Sequence, residues 1–152
     1  MTPITLTLPY PLSANRYWRP ARIGKHMTIV PTKEAKAFRA EIAALCRAQG
    51  ARVPLAGRVH VDVQLYPARP LDWQKRMRVN GAAWDDTVRC IDIDNANKVL
   101  LDALKDVAIE DDKWVRRLTS ERMEPDGEAR VVVTITAMPV VQPQVDLLGE
   151  AA

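Results

Sequence analysis

Val59, Val61, Val63 and Leu65 alternate with His60, Asp62, Gln64 and Tyr66, a period of two that fits a half-buried β-strand and little else. Such a strand requires a sheet and something apolar to cover one of its faces. Ala35, Phe38, Ile42 and Leu45 recur at helical spacing over 33–49, with Thr32 as N-cap and Gly50 as stop. Val99, Leu100, Ala103, Leu104 and Val107 give a second apolar helix face over 95–107, capped by Asp94 or Asn95. Ile4, Leu6 and Leu8 alternate before Pro9 and Pro11, and further strands are predicted over 114–120 and, after the Pro125-Asp126-Gly127 turn, over 131–137. The order β-α-β-loop-α-β-β predicts an α+β fold, a mixed β-sheet with helices packed on one face.

A chain of 152 residues can bury a real core without staples, so a single compact domain is expected over 1–138, with a peripheral tail over 139–152. Cys46 and Cys90 are too few for a disulfide framework and lack the His/Cys spacing of a zinc site; His26 and His60 are isolated. No N-terminal run resembles a signal peptide and no stretch of 18 apolar residues occurs, so a soluble, cytoplasmic protein with no membrane partner is expected. Periodicity fades in two places. Residues 15–25, NRYWRPARIGK, read as an Arg-rich aromatic loop, and 71–87, with the turn signal Asn80-Gly81, as a long flexible loop or small hairpin.

Charge is divided along the chain. The first 89 residues carry 15 Lys plus Arg against six acids, a balance of +9. Residues 90–112, CIDIDNANKVLLDALKDVAIEDD, carry seven acids against Lys98 and Lys105, a balance of −5. Such separation suits a protein that draws polyanionic nucleic acid to one surface and sets metal-binding carboxylates at a phosphate. A mildly basic globular surface is the plainer alternative.

Asp92 and Asp94 stand at the head of the second helix, Lys98 follows one turn after Asp94, and Asp111 and Asp112 close the segment. In an extended stretch residues i and i+2 face one side, so both carboxylates converge on an ion while Ile93 points into the core. Oxygen ligands suit Mg²⁺, whose retained waters supply a hydrolytic nucleophile. Backbone N–H groups at 95–97 favour phosphate, and Lys98 neutralises charge developing there. Asp94 as a mere N-cap and Lys98 as a solvated helix residue remain the alternative. A helix of roughly 13 residues spans about 20 Å, so Asp112 meets Asp92 only if the next strand returns beside the first motif.

The segments LTLPYPLSANRYWR, DIDNANKVLLDALKD and IEDDKWV together resemble the RusA family of Holliday junction resolvases, found in bacteria and their prophages, over most of 4–137. The resemblance implies Mg²⁺-dependent endonucleolytic resolution of four-way DNA junctions by a homodimer, in recombination and repair, with Mn²⁺ able to substitute. It implies that Asp92, Asp94 and Asp112 are the essential carboxylates and metal ligands, that Asp111 is their adjacent partner, and that Lys98 is the active-site lysine. Asn95 completes the D-x-D-N signature, and Asn15, Arg16 and Tyr17 border the site. The chain departs from the compact family pattern at 71–87, beyond Ala137, and at Cys90-Ile91, where a basic residue is expected just before the motif but Arg89 lies further back.

Arg16, Arg19, Arg22 and Lys25 are expected to contact phosphates, with Tyr17 and Trp18 either stacking on an opened base or packing beneath the loop. Lys75, Arg76 and Arg78 are further DNA-contact candidates. Phe38 is expected in the core and Trp114 as a sheet-packing anchor. The function expected is a metal-dependent Holliday junction resolvase. The alternatives are a less selective branched-DNA or flap nuclease, and a noncatalytic structure-selective DNA-binding protein.

Overall fold

The computed structural model describes residues 2–143; of the expected tail, positions 144–152 lie outside the described residues. The chain runs β1 (Ile4–Pro9), α1 (Ala14–Tyr17), β2 (Trp18–Ile23), β3 (His26–Pro31), α2 (Lys33–Ala48), β4 (Val59–Tyr66), α3 (Trp73–Asn80), α4 (Ile93–Leu104), β5 (Val115–Arg122) and β6 (Arg130–Ala137). Short 3₁₀ turns occupy Gly81–Thr87 and Asp112–Trp114.

Four strands form one mixed sheet in the order β1-β6-β4-β5. β6 is antiparallel to both neighbours, and β5 is parallel to β4 from Val59↔Val115 onwards. A parallel partner needs a crossover, and α4 supplies the return. The alternating Val59, Val61 and Val63 join Leu6, Leu8, Val131, Val133 and Ile135 on the covered face. Against them lie Ala35, Phe38, Ile42 and Cys46 of α2 and Val99, Leu100, Ala103 and Leu104 of α4. Thr32 caps α2 as expected, its hydroxyl accepting from the Ala35 N–H at 3.1 Å. The result is a single α+β domain with helices on one face of a mixed sheet.

Three local expectations are corrected. Residues 15–25 are not a loop: after the turn of α1 they enter a two-stranded ribbon, β2 paired with β3 from Trp18↔Pro31 to Ile23↔His26. Gly24, with φ +60, is the first of its two turn residues, a conformation that glycine adopts freely. Residues 71–87 are likewise neither loop nor hairpin but α3 and a 3₁₀ turn, with Gly81 at φ +66 ending α3. Trp84 roots this excursion: it is buried, and its indole N–H donates to Glu124 Oε1 at 2.9 Å. α4 begins at Ile93, earlier than expected, so neither Asp94 nor Asn95 is its cap; Asp92 holds that position. The helix stops at Leu104, whose carbonyl accepts from Val107, Ala108 and Ile109, while Asp106 takes a left-handed φ of 63.

Candidate active site

α4 is a spacer between two groups of carboxylates. At its head, Asp92 is the N-cap by backbone, its carbonyl accepting from the Ala96 N–H at 2.9 Å, while its carboxylate makes no capping bond. Asp94 lies in the first turn. Asp92, Asp94 and Lys98 are all exposed, and none has an ion pair or side-chain hydrogen bond among the described residues. Ile93 does not point into the core; it is 37% exposed, because it opens the helix rather than continuing a strand. The helix buries Ala96, Val99 and Leu100 instead, leaving Asp94 and Lys98 together on its outer side, one turn apart.

The chain before Asp92 is held from below. The Tyr10 hydroxyl accepts from the Ile91 N–H at 2.7 Å and donates to Cys90 Sγ at 3.6 Å. Burial pushes the Tyr10 phenol up to about 12, so it stays a neutral donor throughout the physiological range. Arg122 donates to the carbonyls of Asp85 and Val88 at 2.8 and 2.5 Å, tying the end of β5 to the segment that leads into the motif. Beside it opens a groove of about 610 Å³ whose lining includes Ser13, Arg16, Arg89, Asp92 and Asn95. Arg16 is also paired with Glu34 at 2.5 Å.

At the tail of α4, Lys105 Nζ reaches Asp111 Oδ2 at 3.5 Å. The Lys113 backbone N–H, with help from hydrogen bonding to Asp112, holds Asp111 at about 2. That same hydrogen bond with Asp111 pushes the Asp112 carboxyl above its ordinary value. β5 does return beside α4, as a shared site requires, but in the opposite direction: Ser120, late in β5, donates to Asn97, early in α4, at 3.0 Å. Asp112, before the start of β5, is therefore left at the far end of the helix from Asp92 and Asp94. Among the described residues no group of three His, Cys, Asp or Glu side chains could hold a metal ion.

The remaining candidates divide. Tyr17 is not a stacking platform. It is fully buried, with its hydroxyl bonded to Asp102 and accepting from Arg39 Nε at 2.6 Å. Arg39 in turn pairs with Asp102, so these three residues fasten α1, α2 and α4 together. Trp18 packs edge-on against Tyr17 at 4.4 Å between ring centroids. Asn15, Arg19, Arg22 and Lys25 are exposed. On α3, Lys75 and Arg78 are exposed, but Arg76 is committed internally. It pairs with Asp72 at 2.8 Å and donates to the Thr87 carbonyl at 2.9 Å, so it serves the fold rather than a ligand. Arg89 in the groove is a candidate that motif spacing missed; its one signal is the basic residue expected near the motif.

The family model of Endodeoxyribonuclease RusA matches residues 9–136, nearly the whole described domain. The chain belongs to the RusA family. No curated protein sequence matches it. Family membership gives the fold a nuclease context, and within it the open carboxylate pair and the basic groove are the features that need a function. No helix among the described residues is long and apolar enough to cross a membrane.

Proposed function

We propose that this RusA-family chain is a metal-dependent endodeoxyribonuclease that resolves four-way DNA junctions by paired cleavage as a homodimer. The observation that carries the reading is the pair Asp92 and Asp94, free of partners among the described residues, with Lys98 one turn after Asp94 and with Asp92 lining a groove that also holds Arg16 and Arg89. Two exposed carboxylates with no cation paired to them among the described residues fit Mg²⁺, which is commonly held through one or two carboxylates and keeps several waters. When bound, that ion supplies Lewis-acid chemistry and a water of lowered pKa.

The chain's own groups do the rest. Arg16 and Arg89 orient the phosphate across the groove, and the free N–H groups of the first turn of α4 favour its negative charge. Lys98 sits where charge grows on the reacting phosphate and offsets it. The tail-end pair, Asp111 and Asp112, is too distant to act on the same ion in one chain. A two-fold axis at the outer edge of the sheet removes the difficulty. β5 is an edge strand, exposed along most of its length, with Leu118 41% exposed. Two copies of β5 paired antiparallel would set Asp112 of the partner subunit near the head of α4, and both sites would be completed together.

The deciding experiment compares four-way, three-way, flap and linear DNA with and without Mg²⁺. Paired nicks confined to the four-way substrate are expected. Equal cutting of flaps would favour a general branched-DNA nuclease, and tight binding with no cutting would favour a noncatalytic binder.

A further inference from the structure

Among the described residues the β2–β3 ribbon pairs with no other strand. Its base is the covered part, where Trp18, Val30 and Pro31 are half-buried, and further out Ala21 alone of the described ribbon residues is half-buried. Cross-strand register puts Trp18, Pro20 and Arg22 on one face beside Pro31, Ile29 and Met27. Met27 is 68% and Ile29 69% exposed, so an apolar strip runs outward from Trp18 with nothing upon it among the described residues. A two-stranded ribbon is marginal by itself, and large apolar side chains left bare on it mark a contact surface.

Charge indicates the occupant. Arg19, Arg22 and Lys25 are the ribbon's formal charges, and the first acid of the whole chain is Glu34. A second copy of this ribbon would be repelled, and Pro20 and Pro31 remove donors that strand-to-strand association would use. DNA answers both features: phosphates meet the cations, and the flat face of a base pair meets the strip. Met, Ile and Pro are among the side chains that wedge between base steps and kink a duplex. Position agrees, because the ribbon issues directly from α1, whose Arg16 lines the groove beside Asp92.

We infer that the ribbon is a branch-opening wedge: Met27 and Ile29 cover a base pair unstacked at the junction, while Arg19, Arg22 and Lys25 hold the flanking phosphates. The inference rests on the junction-nuclease reading and adds the residues that open the branch. Its test is Met27→Ser/Ile29→Ser in the full chain, with 2-aminopurine beside the branch of a four-way junction and chelator present to prevent cutting. Wild-type protein should raise the fluorescence. The variant should bind linear duplex within about twofold of wild type yet leave the fluorescence low. With Mg²⁺ it should cut the junction at least about tenfold more slowly, and mismatched pairs beside the branch should restore the rate. A companion variant, Arg19→Gln/Arg22→Gln/Lys25→Gln, should bind all DNA more weakly but still raise the fluorescence at saturation. An undiminished rise with the serine variant overturns the wedge. So does a shift of that variant from dimer to monomer in sedimentation, which would assign the strip to a second copy. Wild-type protein that neither binds nor cuts branched DNA overturns the nuclease reading and this inference together.

Discussion

If Asp112 completes the site of its neighbour, two inactive variants should repair each other. Asp94 and Lys105 are eleven residues apart in sequence, which at about 1.5 Å per residue separates them by about 16 Å along the helix. Asp111 sits on Lys105 at 3.5 Å. Carboxylate oxygens that share one Mg²⁺ must each approach it to about 2.1 Å, so they lie no more than about 4 Å apart. No side-chain rotation closes that gap. Asp94→Asn and Asp112→Asn chains should each lose most Mg²⁺-dependent cleavage, by about 100-fold or more, while keeping their fold. Mixed in equal amounts and allowed to exchange subunits, about half the dimers are mixed. Each of these has one site with both carboxylate groups intact and one with both impaired. About a quarter of the wild-type sites should therefore return, as single nicks with few paired cuts. The assay is nicking of a labelled four-way junction, with exchange verified by mass. Asp92→Asn with Asp94→Asn is the matched control, since both changes lie at the same end of α4 and no intact site can form. Failure to recover activity after verified exchange would refute the shared site.

Lys98→Ala should reduce single-turnover cleavage far more than junction affinity, because a charge acting on the developing phosphate negative charge affects rate before binding; equal losses would reduce it to a phosphate contact. Changing Lys75 and Arg78 together to Ala should flatten the slope of log affinity against log salt by about 4 for a dimer that loses two cations in each subunit, with no change in thermal midpoint, whereas Arg76→Ala, which breaks the Asp72 pair and the bond to Thr87, should lower the midpoint instead. Burial, with the bond to Asp102, raises the Tyr17 phenol to about 12 from an ordinary value of 10. A raised folded-state value stabilises fully below pH 10 and is lost as pH climbs towards 12, so the wild-type denaturation midpoint should fall across that window. Tyr17→Phe should show a shallower fall and, at neutral pH, a loss of about 1 kcal/mol for the missing hydrogen bond.

How much of this was legible follows from what burial imposes on sequence. β4 lies at Val59–Tyr66 and α2 at Lys33–Ala48, much as the patterns predict, because each presents a covered face and burial forces a period on the residues. α3 buries no residue, so nothing forces a helical period on it, and the buried anchor of this segment is a tryptophan in the following turn. The ribbon was hidden for a related reason: both its faces stay largely in solvent, and Pro20 interrupts what would otherwise read as strand. Tyr17 could not be assigned from its neighbours, since its partners Arg39 and Asp102 come from elements distant in sequence.

The carboxylates show where local reasoning stops. The spacing of Asp92, Asp94 and Lys98 is local, and a helix starting at Ile93 is enough to bring them to one end. The position of Asp112 depends instead on which way β5 runs beside α4, and that direction is set by the parallel register of β5 on β4. A parallel partner for β4 obliges the crossover helix to run back along the sheet, so the start of β5 must lie where α4 ends. The topology that builds the core thus separates the two halves of the charge cluster. On the proposed reading, pairing of two copies along the outer edge strand β5 would reunite them, and cutting would be confined to the assembled dimer. Such a dimer holds two sites at a fixed separation on one junction, which is the arrangement that paired incision requires.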